Sequence, residues 1–401
     1  MAAVAAGAAG QAGADEALRE IHGQPSWVLS GGDVEVAVTR LGGHMAPVTF
    51  APSSPRPIRP YHVSPWQEEG LSGLPAAVLV PLRGDFFCLP FGGNGEAFRG
   101  EQHPPHGETA TEAWSFAGRA KADDGAETLT LALDTKVRPG KVTKQLTVRP
   151  GEPVVYTRHV VEGFAGPSPL GHHATLALPR TPGALAVSVS PFRLGMTNPT
   201  RFSDPAAGEY QSLAIGATFT DLTKVPSLFK DPPDVDCAHL PARPGFADLL
   251  AVVADTTALG GHPAWTAAVN TEEGWAWFSL RDPAVLPTTL FWIEDGGRHG
   301  LPWNGRNHCL GLEDVCGAFA DGLAASSRAN PLADRGVKTA HEFDDARPTE
   351  VRTIQGAVAV PAGFDRVARI DFAATGIRLV AASGAAVDVP VRHAFLTDGG
   401  R

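Results

Sequence analysis

The chain has 401 residues, 43% of them hydrophobic and 19% charged, so it holds enough apolar material for a large core and is not a disordered polymer. A formal net charge of −10, with no run of Lys and Arg, argues against a nucleic-acid backbone or a membrane surface as partner. The 45 glycines and 35 prolines suit turns between short strands better than helix interiors.

Residues 1–25 are rich in Ala and Gly. They lack the basic start and long apolar core of a secretory leader, and read as a flexible tail with a helical turn near 15–21. Residues 26–401 read as one domain, because no linker cuts them. Alternation of polar and apolar residues predicts strands at 33–40 (DVEVAVTR), 127–134 (ETLTLALD), 141–148 (KVTKQLTV) and 154–161 (VVYTRHVV). The pattern resumes at 184–189, 264–270, 275–280 and 289–293, and turn signals such as RPG, DDG and TPG punctuate it. Segment 191–234 reads as loops over one face, and 317–329 (GAFADGLAASSRA) as a helix. Segment 353–396 reads as three more strands closing the sheets. Many short strands with few short helices imply an all-β sandwich or barrel. No stretch approaches the ~18 apolar residues of a membrane span.

Cys88, Cys237, Cys309 and Cys316 form no CxxC. Four cysteines in so long a chain read as reduced, buried thiols of a cytoplasmic protein rather than a disulfide framework. A zinc site at Cys309 and Cys316 is the sharper alternative. His103, His299 and His308 match no familiar metal-ligand spacing, so no metal is expected.

Three clusters carry chemistry. His103-Pro-Pro-His106-Gly107-Glu108 follows a Gly-rich turn ending in Asn94, with Arg99 beside it and Trp114 eight residues after His106. Gly171-His172-His173-Ala-Thr-Leu-Ala-Leu-Pro179 is the second. Leu310-Gly-Leu-Glu313-Asp314 is the third, preceded by Trp292, Trp303 and Arg306. A sugar site needs an aromatic ring against the apolar face of the pyranose, with polar groups around the hydroxyls. Opening a hemiacetal needs one group to take the anomeric hydroxyl proton and another to protonate the ring oxygen. A carboxylate and a histidine suit those roles. Each residue also has a structural reading. Glu313 could pair with Arg306, His106 could brace a loop, and His173 could be a satisfied core histidine. The three tryptophans could be packing residues. Arg83 and Arg99 could meet a phosphate or uronate, or lie in solvent.

The His106-Gly107 pair with Trp114 resembles the sugar-binding histidine motif of aldose 1-epimerases, most closely the spacing in glucose-6-phosphate 1-epimerase-like members. Gly171–Pro179 resembles the family's second histidine motif. Leu312-Glu313-Asp314 is similar to its late glutamate motif, and VAVTRLGGHMAPVTF to its opening strand pair. The order of all four agrees over about residues 34 to 317. The resemblance implies an all-β, galactose mutarotase-like β-supersandwich with no cofactor. It implies Glu313 as base at the anomeric hydroxyl, His173 as acid at the ring oxygen, and His106 at a hydroxyl or the ring oxygen. Asn94, Arg99, Trp114, Trp292, Trp303 and Arg306 are the expected substrate-binding residues. His173 is preferred to His172 because Pro follows it six residues later, and alternation turns the two to opposite faces. Asp314 stands where the motif has Pro, and HHATL replaces the commoner His-x-Tyr-Phe.

The expected function is interconversion of sugar anomers by a cofactor-free aldose 1-epimerase. Its partner would be a small sugar or sugar phosphate, and the protein a monomer or homodimer. A non-catalytic carbohydrate-binding or sensing protein on the same fold is the alternative. A third reading is a carbohydrate-cleaving enzyme, with Glu108, Glu112, Glu294 or Asp295 as partner to Glu313.

Overall fold

The structure, a computed structural model, describes residues 16–397. Two large antiparallel sheets form the body. One has seven strands in the order Thr218–Phe219, Phe192–Thr197, Phe246–Ala254, Thr288–Asp295, His308–Cys316, Leu170–Ala177 and Phe87–Cys88. The other has nine, running from His239–Leu240 through Ala264–Asn270, Trp275–Arg281, Thr349–Ala359 and Glu152–Glu162 to Ser115–Lys121. The alternating segments, such as Glu127–Thr135 and Gly140–Arg149, bury one face of the strand, and the more continuously apolar ones, such as Trp275–Arg281 and Thr288–Asp295, are buried on both. Observed strands Val34–Thr39, Glu127–Thr135, Gly140–Arg149, Ala264–Asn270 and Thr288–Asp295 lie on the expected segments. Between the two sheets, Leu310, Leu312, Leu176 and Ala174 pack against Trp277, Val155 and Leu146.

Both outer faces are also covered. Loops carrying Trp66, Leu79, Leu82, Phe86, Phe91 and Trp303 pack over Leu249, Leu290, Trp292, Cys309 and Val315 of the seven-stranded sheet. On the nine-stranded sheet lies a separate three-stranded sheet, Val367–Ala373, Gly376–Ala381 and Ala386–Pro390, which buries Ile370, Ile377 and Leu379 against Trp265, Phe278 and Ile354. All four cysteines are buried and unpaired. Among the described residues no helix is long and apolar enough to cross a membrane.

Three expectations need correction. Residues 19–21 are a strand, not a helical turn. Arg19–Ile21 pairs with Gln24–Ser30 through a two-residue turn in which His22 and Gly23 have φ of 47° and 72°, and the hairpin joins a four-stranded sheet. Consecutive positive φ values match the right-handed twist of a hairpin, and a terminal Gly supplies one cheaply. The tail reading therefore fails for residues 19–25, and residues 1–15 lie outside the described ones. In 317–329 only Leu323–Ser326 is helical. Gly322, at φ 91°, lies so close to the Asn94 backbone that a Cβ would come within 2.5 Å of it, so the chain bends there instead of coiling. The C-terminal strands after Ala359 cap the outside of a sheet rather than close either one.

Candidate functional site

His173 and Glu313 lie directly opposite one another where strands Leu170–Ala177 and His308–Cys316 pair. Opposed residues on one face of a sheet have Cβ atoms about 5 Å apart, within reach of one another's side chains. Here His173 Nε2 is 3.2 Å from Glu313 Oε1, on the outer face of the seven-stranded sheet. His173 Nδ1 is 3.1 Å from the Thr175 hydroxyl. The imidazole stacks on Phe86 with ring centroids 4.5 Å apart and meets the edge of Trp292 at 5.6 Å. Gly311 leaves room for the carboxylate, because a Cβ there would sit 2.5 Å from Glu313 Oε1.

His106 arrives on a sharp turn. It has φ 62° and the following Gly107 φ 78°, and a Cβ on Gly107 would fall 1.9 Å from the Leu89 carbonyl oxygen. The His106 amide donates to the Gly92 carbonyl at 2.7 Å, and its ring lies 5.0 Å from that of His173, nearly perpendicular. Its Nδ1 is 3.5 Å from Cys88 Sγ. A left-handed non-glycine residue costs free energy, and such residues concentrate at sites where a side chain must be aimed.

These three residues line a cavity of about 160 Å³ whose remaining wall is Phe86, Phe202, Leu79, Leu82, Leu249, Trp292, Trp303 and Arg298 among others. Burial pushes the Glu313 carboxyl well above its ordinary range, opposed by the positive charge of Arg298. Burial, then the neighbouring His106, holds His173 well below the ordinary histidine range. Burial alone lowers His106 to about 4. Burial thus favours the neutral form of each member of the His173–Glu313 pair, with one transferable proton shared across their contact. Such a pair offers an acid and a base at one point in an apolar cavity.

His172 and Asp314, one residue along, face the sandwich interior. His172 Nδ1 is 2.8 Å from Asp85 Oδ2. Asp314 pairs with Arg281 at 2.8 Å and accepts hydrogen bonds from the Ser279 and Thr289 hydroxyls. The residue that replaces the motif's Pro is therefore part of an interlayer ion pair.

Of the expected substrate-binding residues, Trp292 and Trp303 line the cleft and four do not. Trp114 is buried in the inter-sheet core, its indole donating to the Thr109 carbonyl at 3.0 Å. Asn94 is a backbone latch, donating to Pro90, Gly92 and Pro104 carbonyls and accepting from the Leu323 amide. Arg99 is exposed against Phe98. Arg306 pairs with Glu69 at the surface rather than with Glu313. Arg83, another guanidinium weighed for an anion, is buried and spends its donors on the carbonyls of Pro81, Ile21 and His22. Sequence reasoning missed Arg298 and Phe86. The signal for Arg298 was the Gly-Gly-Arg turn directly after a strand that carries Trp292. Among the described residues Glu313 is the one carboxylate on the cleft wall. Glu108 accepts backbone N–H groups of Lys136 and Val137, Glu112 pairs with Lys136, and Asp295 pairs with His308. Glu294 pairs with Arg298 behind the wall. Among the described residues no three His, Cys, Asp or Glu side chains group as a metal would need.

No protein-family model matches the chain, and no curated protein matches it in sequence. Solved structures do match in fold. A galactose mutarotase-like protein from Clostridium acetobutylicum superposes with a TM-score of 0.58 at 11% identity, over 85% of this chain and 98% of that one. A candidate aldose 1-epimerase from Escherichia coli K12 gives 0.55 at 14%, over 84% and 100%. A galactose mutarotase related enzyme from Lactobacillus acidophilus gives 0.52 at 11%, over 83% and 97%.

Proposed function

From the galactose mutarotase-like fold as premise, we propose that this chain is an aldose 1-epimerase-like enzyme that interconverts sugar anomers. The single observation that carries the reading is the His173–Glu313 pair, 3.2 Å apart in an apolar cleft beside His106. A bound sugar takes over as partner to both, and the reacting form is the one in which the proton they share rests on His173, leaving Glu313 a carboxylate. Glu313 accepts the proton of the anomeric hydroxyl, and the bond between C1 and the ring oxygen breaks. The electron pair goes to the ring oxygen, which takes a proton from His173. The open-chain aldehyde then rotates about its C1–C2 bond and recloses on the other face by the reverse transfers. Atoms and charge balance without a co-reactant. His106, held neutral by burial, donates to a hydroxyl or to the ring oxygen. Trp292 and Trp303 offer flat apolar surface to the pyranose.

The test is anomer exchange by proton NMR saturation transfer on hexoses, pentoses, uronates and a sugar phosphate. Wild type accelerates exchange of at least one of them over buffer, and Glu313→Gln loses about 10²- to 10⁴-fold of that acceleration. No acceleration with any sugar overturns the enzyme reading. The sparse polar lining of the cleft favours, as second reading, a protein that binds a sugar without converting it. Calorimetric binding that survives Glu313→Gln, with no exchange in wild type, would establish that alternative.

A further inference from the structure

His106, His173, Glu313 and Arg298 are the ionisable side chains on the cleft wall among the described residues. The Arg298 guanidinium makes no hydrogen bond with any described residue. Nε is buried without a hydrogen-bond acceptor, and its ion pairs with Glu294 and Glu209, at 3.5 and 3.8 Å, leave its hydrogen-bonding capacity unused. Glu294 Oε1 is already occupied, accepting the Gly297 and Arg298 amides, and burial pushes the Glu294 carboxyl up to about 7. Around the guanidinium carbon lie the rings of Phe202, Trp303 and Trp292, at 5.0, 5.2 and 5.7 Å. Trp292 itself is 6% exposed, lines the same cleft, and its indole N–H is buried with no acceptor. Two unsatisfied donors on one apolar wall are costly to leave unpaired. A planar oxyanion matches the guanidinium fork in two parallel hydrogen bonds.

We infer that Arg298 and the Trp292 indole N–H form an oxyanion subsite, and that the sugar this cleft takes bears a carboxylate, as a uronic acid does. The inference rests on reading the cleft as a sugar site. A singly charged carboxylate fits better than a phosphate dianion, because one guanidinium must serve it and Glu209 and Glu294 repel a second negative charge. A neutral hexose offers the guanidinium only its 6-hydroxyl, a weaker acceptor than a carboxylate and one that cannot match the fork.

The experiment measures kcat/KM for anomer exchange of glucuronate and galacturonate, of glucose and galactose, and of glucose 6-phosphate. Wild type, Arg298→Gln and Arg298→Lys are compared at one pH. The quantity read is the ratio of acidic to neutral sugar, since any effect of Arg298 on Glu313 scales both alike. Wild type favours each uronate over its parent hexose at least tenfold. Arg298→Gln lowers that ratio by about 10- to 100-fold, the worth of a charge-assisted hydrogen bond, and Arg298→Lys falls between. Equal use of hexose and uronate by wild type overturns the inference, whether or not either variant folds. So does a ratio unmoved by Arg298→Gln. Preference for glucose 6-phosphate over the uronates overturns the carboxylate assignment. If no sugar is exchanged, ligand-observed NMR of glucuronate and glucose binding separates the two claims. Glucuronate binding lost in Arg298→Gln keeps the subsite while the epimerase reading falls, and absence of glucuronate binding sinks the subsite.

Discussion

Glu313 owes its position to a missing side chain. Gly311, two residues earlier on the same strand face, leaves the space into which the carboxylate folds back, with Trp292 Cβ on the other side. A methyl at Gly311 would lie 2.5 Å from Glu313 Oε1 and 3.0 Å from Trp292 Cβ. The carboxylate is the more mobile of the two and would yield first. Gly311→Ala is therefore expected to slow anomer exchange by about 10²-fold, since misplacing a reacting group by about 1 Å costs that much. Thermal unfolding of the variant should stay within a few degrees of wild type. A variant that keeps full exchange activity would show that the carboxylate's position does not matter to the reaction.

The strand His308–Cys316 divides its chemistry by parity. Gly311, Glu313 and Val315 face the cleft side, and Leu310, Leu312 and Asp314 face the sandwich interior. The interior ion pair between Asp314 and Arg281 ties this strand to Trp275–Arg281 of the opposite sheet, both side chains being 2% exposed. A one-residue slip would bury Glu313 between the sheets and turn Asp314 to the cleft, so the ion pair and the cleft carboxylate specify the same register. Asp314→Ala leaves the Arg281 guanidinium buried and unpaired, and should destabilise the fold by about 3–5 kcal/mol in urea unfolding. Combining it with Arg281→Met should recover much of that loss. If the double variant is as unstable as the single one, the uncompensated charge is not the cause.

Across the whole molecule, burial holds His44, His62, His106, His159 and His173 below the ordinary histidine range, with His62 and His106 at about 4. The folded state keeps these rings neutral, while the unfolded chain protonates them below about pH 6.5. Their contribution to stability is therefore intact above 6.5 and is lost as pH falls toward 4, at about 1.4 kcal/mol per pH unit for each ring involved. His159 allows a clean test. It is fully buried, stacks on Phe87 at 4.0 Å, and neither ring nitrogen has a hydrogen-bond partner. His159→Phe should flatten the decline of unfolding free energy between pH 6.5 and 4 by about one proton. An unchanged slope would mean that His159 takes up its proton in the folded state as readily as in the unfolded one.

The strands of both large sheets were legible because a half-buried strand alternates with period two. Segment 127–134 shows that pattern plainly, while 264–270 is a strand buried along its whole length, and both strands start at the expected residues. The separation of His172 from His173 follows from the same periodicity. The N-terminal hairpin was missed because its polar, three-residue first strand carries no period of its own, and only pairing with Gln24–Ser30 makes it a strand. Roles assigned by nearness in sequence did not carry over for Asn94, Trp114 and Arg306. A loop residue three positions from a cleft residue can turn to the core or to solvent, and local pattern does not say which. Arg298, Phe86 and Gly311 acquire their places only when strands distant in sequence pair and loops fold back over them. The residue types of an acid–base pair, and the faces they occupy on their strands, were thus set by local chemistry. Which of them meet, how deeply they are buried and how far their proton affinities move were decided by the packing of one sheet's outer face under its loops.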